Sequence, residues 1–532
     1  MSQTVRLTAR PEDQSAVFSF LEDPKTFGSC GEIRRIDTHG AVVFLAGSDA
    51  YKVKRAVRFP FMDFSTLEKR RIACESELAI NKSNAPEIYL GVIPIVRTPR
   101  GLALGGAGEI VEWAVHMQRF DESATLDRLA ERGALRPELL IRLVDAILDS
   151  HSRAPRRDGR AATEALARYL DQNEAAFAAA PSLFDPVRAQ LLARDARLAL
   201  AATKDLLLAR GNEDYVRRCH GDLHLRNIVL IDDEPTLFDA IEFDDEIATG
   251  DVLYDLAFLL MDLEERGLRQ VANLILNRYL WRSDEAHLTG LAALPIFLSI
   301  RSAIRAKVVA AGLTHLQGKA RNRAQMEARR YFWFAEEFLR PQAARLVAVG
   351  GLSGTGKSAL SSRIAPFLGR APGAIWLRSD IERKRLFGVG EMEHLPQDAY
   401  SKAATREVYA LLCRKAALAL KSGQSVIIDA VHSAQSERDG IASVAAEHGV
   451  GFTGLWLEAP LETRLERVTS RTRDASDATA AVATEQTSDG PTLSTWRRID
   501  ASGGVEGVTR AALRSISPKT RQICRPISKR RT

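Results

Sequence analysis

An α+β module followed by an α/β module with a parallel sheet is the fold class that this 532-residue sequence predicts. Three observations point there. Short strand-like runs cluster around one helical run before residue 120, alanine-rich helical segments follow, and from about residue 341 apolar strands alternate with helices. Alternation of the last kind lays down parallel strands joined by crossover helices. We expect one domain over residues 1–340, a second over 341–516, and a basic, disordered tail over 517–532.

In the first lobe, "AVVFLAG" (41–47) and "YKVKRAV" (51–57) read as strands about a turn at Ser48 and Asp49. A helix is expected through "STLEKRRIACESELAINKSN" (65–84), then a strand pair, "YLGVIPIV" (89–96) and "EIVEWAVHMQRF" (109–120). "GLALGGAG" (101–108) resembles a phosphate loop, but its place between two strands makes it a hairpin turn. From about Leu126 to Arg210 the chain is helical, and Leu139, Leu143, Ile147 and His151 recur on one apolar face. A hairpin of "NIVLI" (227–231) and "TLFDAIEF" (236–243) comes next, with further helices to about 340.

Beyond "PQAARLVAVGG" the expected strands are "RLVAVG", "AIWLR", "SVIIDA", "FTGLWLE" and "TWRRIDA". Helices are expected at 358–368, around 400–421, at 460–470 and near 506–516. "TRDASDATAAVATEQTSDGP" (472–491) is polar with few apolar anchors and reads as a mobile or ligand-ordered segment.

Composition bounds the chemistry. The apolar fraction is 45%, and a net charge of +6 spread over this length suits an anionic ligand without demanding nucleic acid. Five scattered cysteines without a CxxC pair argue against a disulfide framework or a zinc site. The opening "MSQTVRLTARPEDQ" lacks the apolar core of a signal peptide, and runs such as "LYDLAFLLM" fall short of a membrane span. A cytoplasmic protein without membrane contact is expected.

"GLSGTGKS" (Gly351–Ser358) matches GxxxxGK[ST] in full, after an apolar strand and before a helix. In such a loop the backbone N–H groups of Gly351, Leu352, Ser353, Gly354, Thr355 and Gly356 turn inward around phosphate oxygens. Lys357 reaches the β- and γ-phosphates and Ser358 ligates Mg²⁺. Asp429 ends the strand "SVIID" at the carboxyl edge of the sheet, a place for a magnesium ligand. Asp380, in "LRSDIERKRL", is either the acceptor of a substrate hydroxyl proton or a helix N-cap. Arg383 and Lys384 are candidates to hold an anionic substrate. Arg464, Arg467 and Arg471 recur at helical spacing and either stabilise a transferring phosphoryl group or form a solvated face.

The loop, "SDIERKRL", "VIIDA" and "RVTSRTRDASDA" together resemble the P-loop kinases often labelled AAA-family ATPases, similar to chloramphenicol phosphotransferase, zeta toxin and the kinase part of polynucleotide kinase. The resemblance covers roughly residues 341–516. It implies a nucleotide grip at Lys357 and Ser358, a catalytic base at Asp380 and a lid arginine at Arg467 or Arg471.

Earlier in the chain, "HGDLHLRN" sets His220, Asp222 and Asn227 in H-x-D-x-x-x-x-N. That spacing lets a carboxylate take a hydroxyl proton while an amide oxygen five residues on ligates Mg²⁺. Asp239 is the preferred second metal ligand, with Glu242 as its rival. His220 is expected to pack beneath the loop. Upstream, Lys52 and Lys54 share one strand face and are the candidates for the α/β-phosphate lysine, Lys52 preferred. Glu77 is its expected partner and Glu75 the spare. "VHMQRF" (115–120) takes the place of a hinge strand facing adenine.

This arrangement resembles the aminoglycoside phosphotransferase family over roughly residues 30–340, which implies a protein-kinase-like bilobal fold. "GDVLYDLAF" matches the family's "GDPxxDLA" segment, so Asp251 and Asp255 are implied to brace the catalytic loop. The first lobe departs from it in having no clean G-x-G-x-x-G. The tandem order resembles bifunctional aminoglycoside phosphotransferase/ATP-binding proteins. ATP and Mg²⁺ are the implied cofactors, and a small-molecule hydroxyl the implied acceptor. The competing expectations are a regulatory protein with one non-catalytic nucleotide-sensing module, and a nucleic-acid 5′-kinase.

Overall fold

The computed structural model describes residues 12–28, 31–59, 62–470, 475–486 and 495–516. Contacts divide the chain into two compact units: residues 1–165 with 208–259, and residues 166–207 with 260–532.

The first unit carries a six-stranded antiparallel sheet. In sheet order its strands are Arg34–Asp37, Ala41–Ala46, Asp49–Lys54, Glu109–Gln118, Tyr89–Thr98 and Gly101–Leu104. The first and last were not expected. Arg34–Asp37 is mostly exposed, and "GLAL" opens as an edge strand before its turn, so neither shows the apolar alternation of an inner strand. Helix Leu67–Asn81 packs mainly on strands Glu109–Gln118 and Tyr89–Thr98. Thr66 caps it, accepting from Lys69 N–H at 3.3 Å. The helix Pro137–Arg153 buries the expected Leu139, Leu143, Ile147 and His151. The hairpin Ile228–Ile231 and Glu234–Leu237 ends two residues before Asp239, whose backbone turns left-handed at φ 59°.

In the second unit, five parallel strands run in the order Ile375–Arg378, Val426–Asp429, Arg345–Gly351, Gly451–Glu458, Trp496–Asp500. Helices cover both faces, so the central strands read as unbroken apolar runs. Each buried Val, Leu or Ile there contributes about 1.5–3 kcal/mol. The helices expected near 400–421, 460–470 and 506–516 form at Lys402–Lys421, Leu461–Thr469 and Val505–Ile516. A short helix, Ala480–Glu485, lies within the polar segment expected to be mobile.

The compact units do not follow the division expected at 340/341. Helices from 260 to 339 group with the parallel sheet because one of them is hydrogen-bonded to its edge strand. On helix Arg269–Arg282, Asn277 Oδ1 accepts from Trp376 N–H at 2.6 Å, and Asn273 Nδ2 donates to the Ala374 carbonyl at 3.0 Å. Ala286–Gly312 is long and apolar enough to cross a membrane, a span the sequence reading overlooked, but 83% of its apolar window is buried within the protein. The tail 517–532 lies outside the described residues.

Candidate active sites

The first site gathers on three carboxylates and two lysines. Lys52 Nζ lies 2.7 Å from both Glu77 Oε1 and Asp239 Oδ1. Lys54 Nζ meets the other Glu77 oxygen at 2.5 Å and also pairs with Glu242. Strand alternation thus brings both lysines to one buried glutamate, and each takes a different partner from the 239–242 segment. Glu77 is fully buried, whereas the Asp239 side chain is 43% exposed and open to a ligand. Burial raises the Glu77 carboxyl, but the two ammonium charges outweigh it and hold the group down at about 2. Burial, helped by the nearby Glu77 charge, keeps Glu242 above the usual carboxylate range despite Lys54 and Lys52. Glu75 faces solvent and pairs with Arg71 at 2.7 Å, so it is not the lysine's partner.

The octet His220–Asn227 is braced by hydrogen bonds within and around it. Asn227 Nδ2 donates to the Asp222 carbonyl at 3.0 Å and to its carboxylate at 2.9 Å. His224 Nε2 lies 3.3 Å from the same carboxylate. His220 is buried, with Nε2 2.9 Å from the Phe238 carbonyl, and burial depresses its pKa. Asp255 accepts from Gly221 N–H at 2.8 Å and faces His151 at 3.2 Å. Gly221 has φ 80°, and a Cβ there would lie 3.0 Å from Ala248 Cα, so the turn demands glycine. Asp251 receives Arg210 in a buried two-point pair at 2.6 and 2.8 Å.

In the second unit, Gly351, Gly354 and Gly356 take left-handed backbones and wrap the loop ahead of helix Lys357–Ile364. Leu352 O accepts from Lys357 Nζ at 3.1 Å and from Thr355 Oγ1 at 2.8 Å. Ser353 N–H donates to Gln486 Oε1 at 2.7 Å. Asp429 is 4% exposed; burial raises its pKa against the opposing pull of Arg378, Lys357 and a hydrogen bond from Ser358. Asp380 lies in the first turn of helix Ser379–Leu386, whose N-cap is Arg378, so it is not the cap. With burial and Asp477, the Asp380 charge raises the Tyr400 hydroxyl. Arg467 reaches over the loop to the carbonyls of Thr355 at 3.5 Å and Gly503 at 3.4 Å. Arg471 lies outside the described residues.

Two expected substrate cations have other tasks. Arg383 is buried, bonded to the Ala399 carbonyl at 2.5 Å and packed over Tyr400. Lys384 donates to the Glu391 and Glu393 carbonyls at 2.8 and 2.6 Å and pairs with Asp477 at 3.1 Å. Both brace the 388–400 loop. Asn81, Arg378, Trp376 and Gln486 drew no role from the sequence reading, because each acts through a distant backbone or side chain.

The donor sets suit a magnesium–nucleotide in both places. The second site offers a glycine loop in which a Cβ at Gly351 or Gly354 would clash with backbone, a lysine, a hydroxyl and a carboxylate. The first offers a carboxylate, an amide and an exposed aspartate beside a lysine.

Comparison with known proteins gives two family matches. Residues 76–293 match the Phosphotransferase enzyme family, and residues 346–489 match an AAA domain. The chain is 31% identical over 477 residues to Uncharacterized protein Rv2004c of Mycobacterium tuberculosis, covering 88% of this chain and 92% of that one. Among solved structures, a choline/ethanolamine kinase family protein from Mesorhizobium loti is 14% identical, with 61% of this chain and 94% of that chain covered and a TM-score of 0.39. A gluconokinase from Sinorhizobium meliloti 1021 is 21% identical, with 33% and 93% covered and a TM-score of 0.24.

Proposed function

Since this chain belongs to the family of the mycobacterial protein Rv2004c, and joins a phosphotransferase-family domain to an AAA domain of the P-loop kinase kind, we propose that it is an ATP- and Mg²⁺-dependent phosphotransferase with two nucleotide sites. Each site transfers the γ-phosphoryl group to a hydroxyl of a small-molecule acceptor. The observation that carries this reading is Lys52, held at 2.7 Å by both Glu77 and Asp239. That lysine bridges a helix glutamate and a candidate metal aspartate, which supports the lysine–glutamate pairing that protein-kinase-type phosphoryl transfer uses.

In the first site Asp222 orients the acceptor hydroxyl and takes its proton, while Asn227 and Asp239 hold the cation. In the second, the loop from Gly351 to Gly356 and Lys357 hold the phosphates, and Ser358 and Asp429 hold the cation. Asp380 accepts the proton there, and Arg467, with Arg471 as its alternative, faces the transferred group. Magnesium, when bound, neutralises phosphate charge and fixes the reacting geometry. Alignment and charge neutralisation supply most of the acceleration. Free thiols at Cys74, Cys219 and Cys413 support a reducing, cytoplasmic setting.

The test is a metabolite-extract screen with labelled ATP, comparing wild type, Asp222→Asn and Lys357→Ala, with labelled products identified by mass. Each variant is expected to lose a different product. Loss of one common product would refute independent sites, and no labelled product from wild type would refute the phosphotransferase reading.

A further inference from the structure

Between Asp429 and Ser358 stands a guanidinium that no motif announces. Arg378 ends the edge strand of the parallel sheet and is 6% exposed. Its Nε lies 3.8 Å from Asp429 Oδ2, and its Nη2 donates to Ser358 Oγ at 3.4 Å. The guanidinium carbon is 5.1 Å from the Trp376 ring centroid and 5.9 Å from that of Trp281. The two indoles are themselves fixed. Trp281 Nε1 donates to the Trp376 carbonyl at 2.7 Å, and Trp376 Nε1 donates to Asp429 Oδ2 at 3.3 Å.

A planar cation against two aromatic rings is held by their electron-rich faces and cannot drift as a surface arginine does. Here it is aimed at the carboxylate and hydroxyl that form the magnesium pair in the proposed second site. A divalent cation on that pair would meet a positive charge already in place, and in a buried setting such repulsion is poorly screened. Trp281 lies on helix Arg269–Arg282, within the stretch that matches the phosphotransferase family. That helix therefore helps decide how firmly the guanidinium stays.

We propose that Arg378 occupies Asp429 and Ser358 in the second site and competes with the divalent cation for them. Nucleotide and metal must then arrive together, since the metal alone meets the guanidinium. The proposal rests on reading Gly351–Ser358 as a nucleotide site.

The experiment measures binding of a fluorescent ATP analogue to the full chain at rising Mg²⁺, taking as this site the component lost in Lys357→Ala. Competition is a coupling between two ligands of one pair, so Arg378→Gln should lower the Mg²⁺ concentration at half-saturation by about fivefold or more. Arg378→Lys, which keeps the charge without the planar fork, should lower it less. An unchanged midpoint in folded Arg378→Gln overturns the proposal. So does a raised one, which would mark Arg378 as a phosphate ligand. If Arg378→Gln does not fold, Arg378→Lys decides by the same midpoint: lowered supports, unchanged or raised overturns. If Lys357→Ala loses no nucleotide binding, the nucleotide reading itself falls, and that failure is distinct from an unmoved midpoint.

Discussion

Asn81 clasps the backbone of Ala240 from both sides. Its Oδ1 accepts from Ala240 N–H at 2.7 Å, and its Nδ2 reaches the Ala240 carbonyl at 3.4 Å. The same Nδ2 also bonds the Glu77 carbonyl one helical turn back, at 3.1 Å. One buried amide therefore ties the helix bearing Glu77 to the residue that follows Asp239. The spacing of Lys52, Glu77 and Asp239 depends on that tie as much as on their own charges.

Replacing Asn81 by Leu should expose this dependence. It leaves the Ala240 N–H and carbonyl buried without their side-chain partner, a cost of about 1–3 kcal/mol. Asp239 then loses its fixed left-handed turn. We expect a lower unfolding midpoint and a raised KM for ATP in the Asp222-dependent reaction, with the Lys357-dependent reaction unchanged. Thermal melts and the two separate product assays check this.

Lys52 and Lys54 should separate when each is replaced by Met. Lys52 stands beside the exposed Asp239, and its loss is expected to lower kcat by about a hundredfold or more with modest change in stability. Lys54 is 2% exposed and neutralises Glu77 and Glu242, which are 0% and 7% exposed. Its removal strands buried charge and should cost about 3–5 kcal/mol. Urea denaturation distinguishes the two, and equal destabilisation by both would contradict the assignment.

How far this was legible follows from where each residue gets its role. Asp222 and Asn227 sit five residues apart on one loop, and Lys357 and Ser358 close a complete GxxxxGK[ST], so local spacing alone marks them as candidates. The parallel sheet was legible because both its faces are covered, leaving apolar runs without alternation. Asn81 acts on a backbone 159 residues away, and Arg378 on Asp429 across neighbouring strands. Nothing in their flanking residues records those distances. Arg383 and Lys384 misled for the converse reason: cations beside Asp380 suggest a ligand, while the fold spends them on the carbonyls of a nearby loop. The division at 340/341 marked the change of pattern, but not which helices pack on the sheet, because the hydrogen bonds from Asn273 and Asn277 leave no periodic trace.

Stability should fall as pH rises toward neutrality, through Glu264. Burial lifts this carboxyl from its ordinary value of 4.5 to about 7, outweighing the opposing charge of Arg269. The folded chain then binds the proton more tightly than the unfolded chain. Its contribution is complete below the ordinary value and is lost as pH climbs through about 7. The shift corresponds to about 3 kcal/mol at most. Urea midpoints between pH 4.5 and 7.5 should decline more steeply for wild type than for Glu264→Gln, and parallel curves would remove Glu264 from the account.

Gly354→Ala should disable the second site alone. Gly354 has φ 82°, and a Cβ there would lie 2.4 Å from the Arg464 carbonyl oxygen and 2.8 Å from Arg464 Cα. Both obstacles are backbone, so no side-chain rotation relieves them. Either the loop opens or helix Leu461–Thr469 shifts, and that helix also carries Arg467 over the loop. A displacement of about 1 Å at a phosphoryl-transfer site costs on the order of a hundredfold in rate. We expect the Lys357-dependent nucleotide binding and product to fall by about that factor, while the Asp222-dependent product persists at the wild-type rate. Equal loss of both products would mean that the two sites do not act independently. Full retention of the Lys357-dependent product would mean that the glycine cradle does not hold the phosphates.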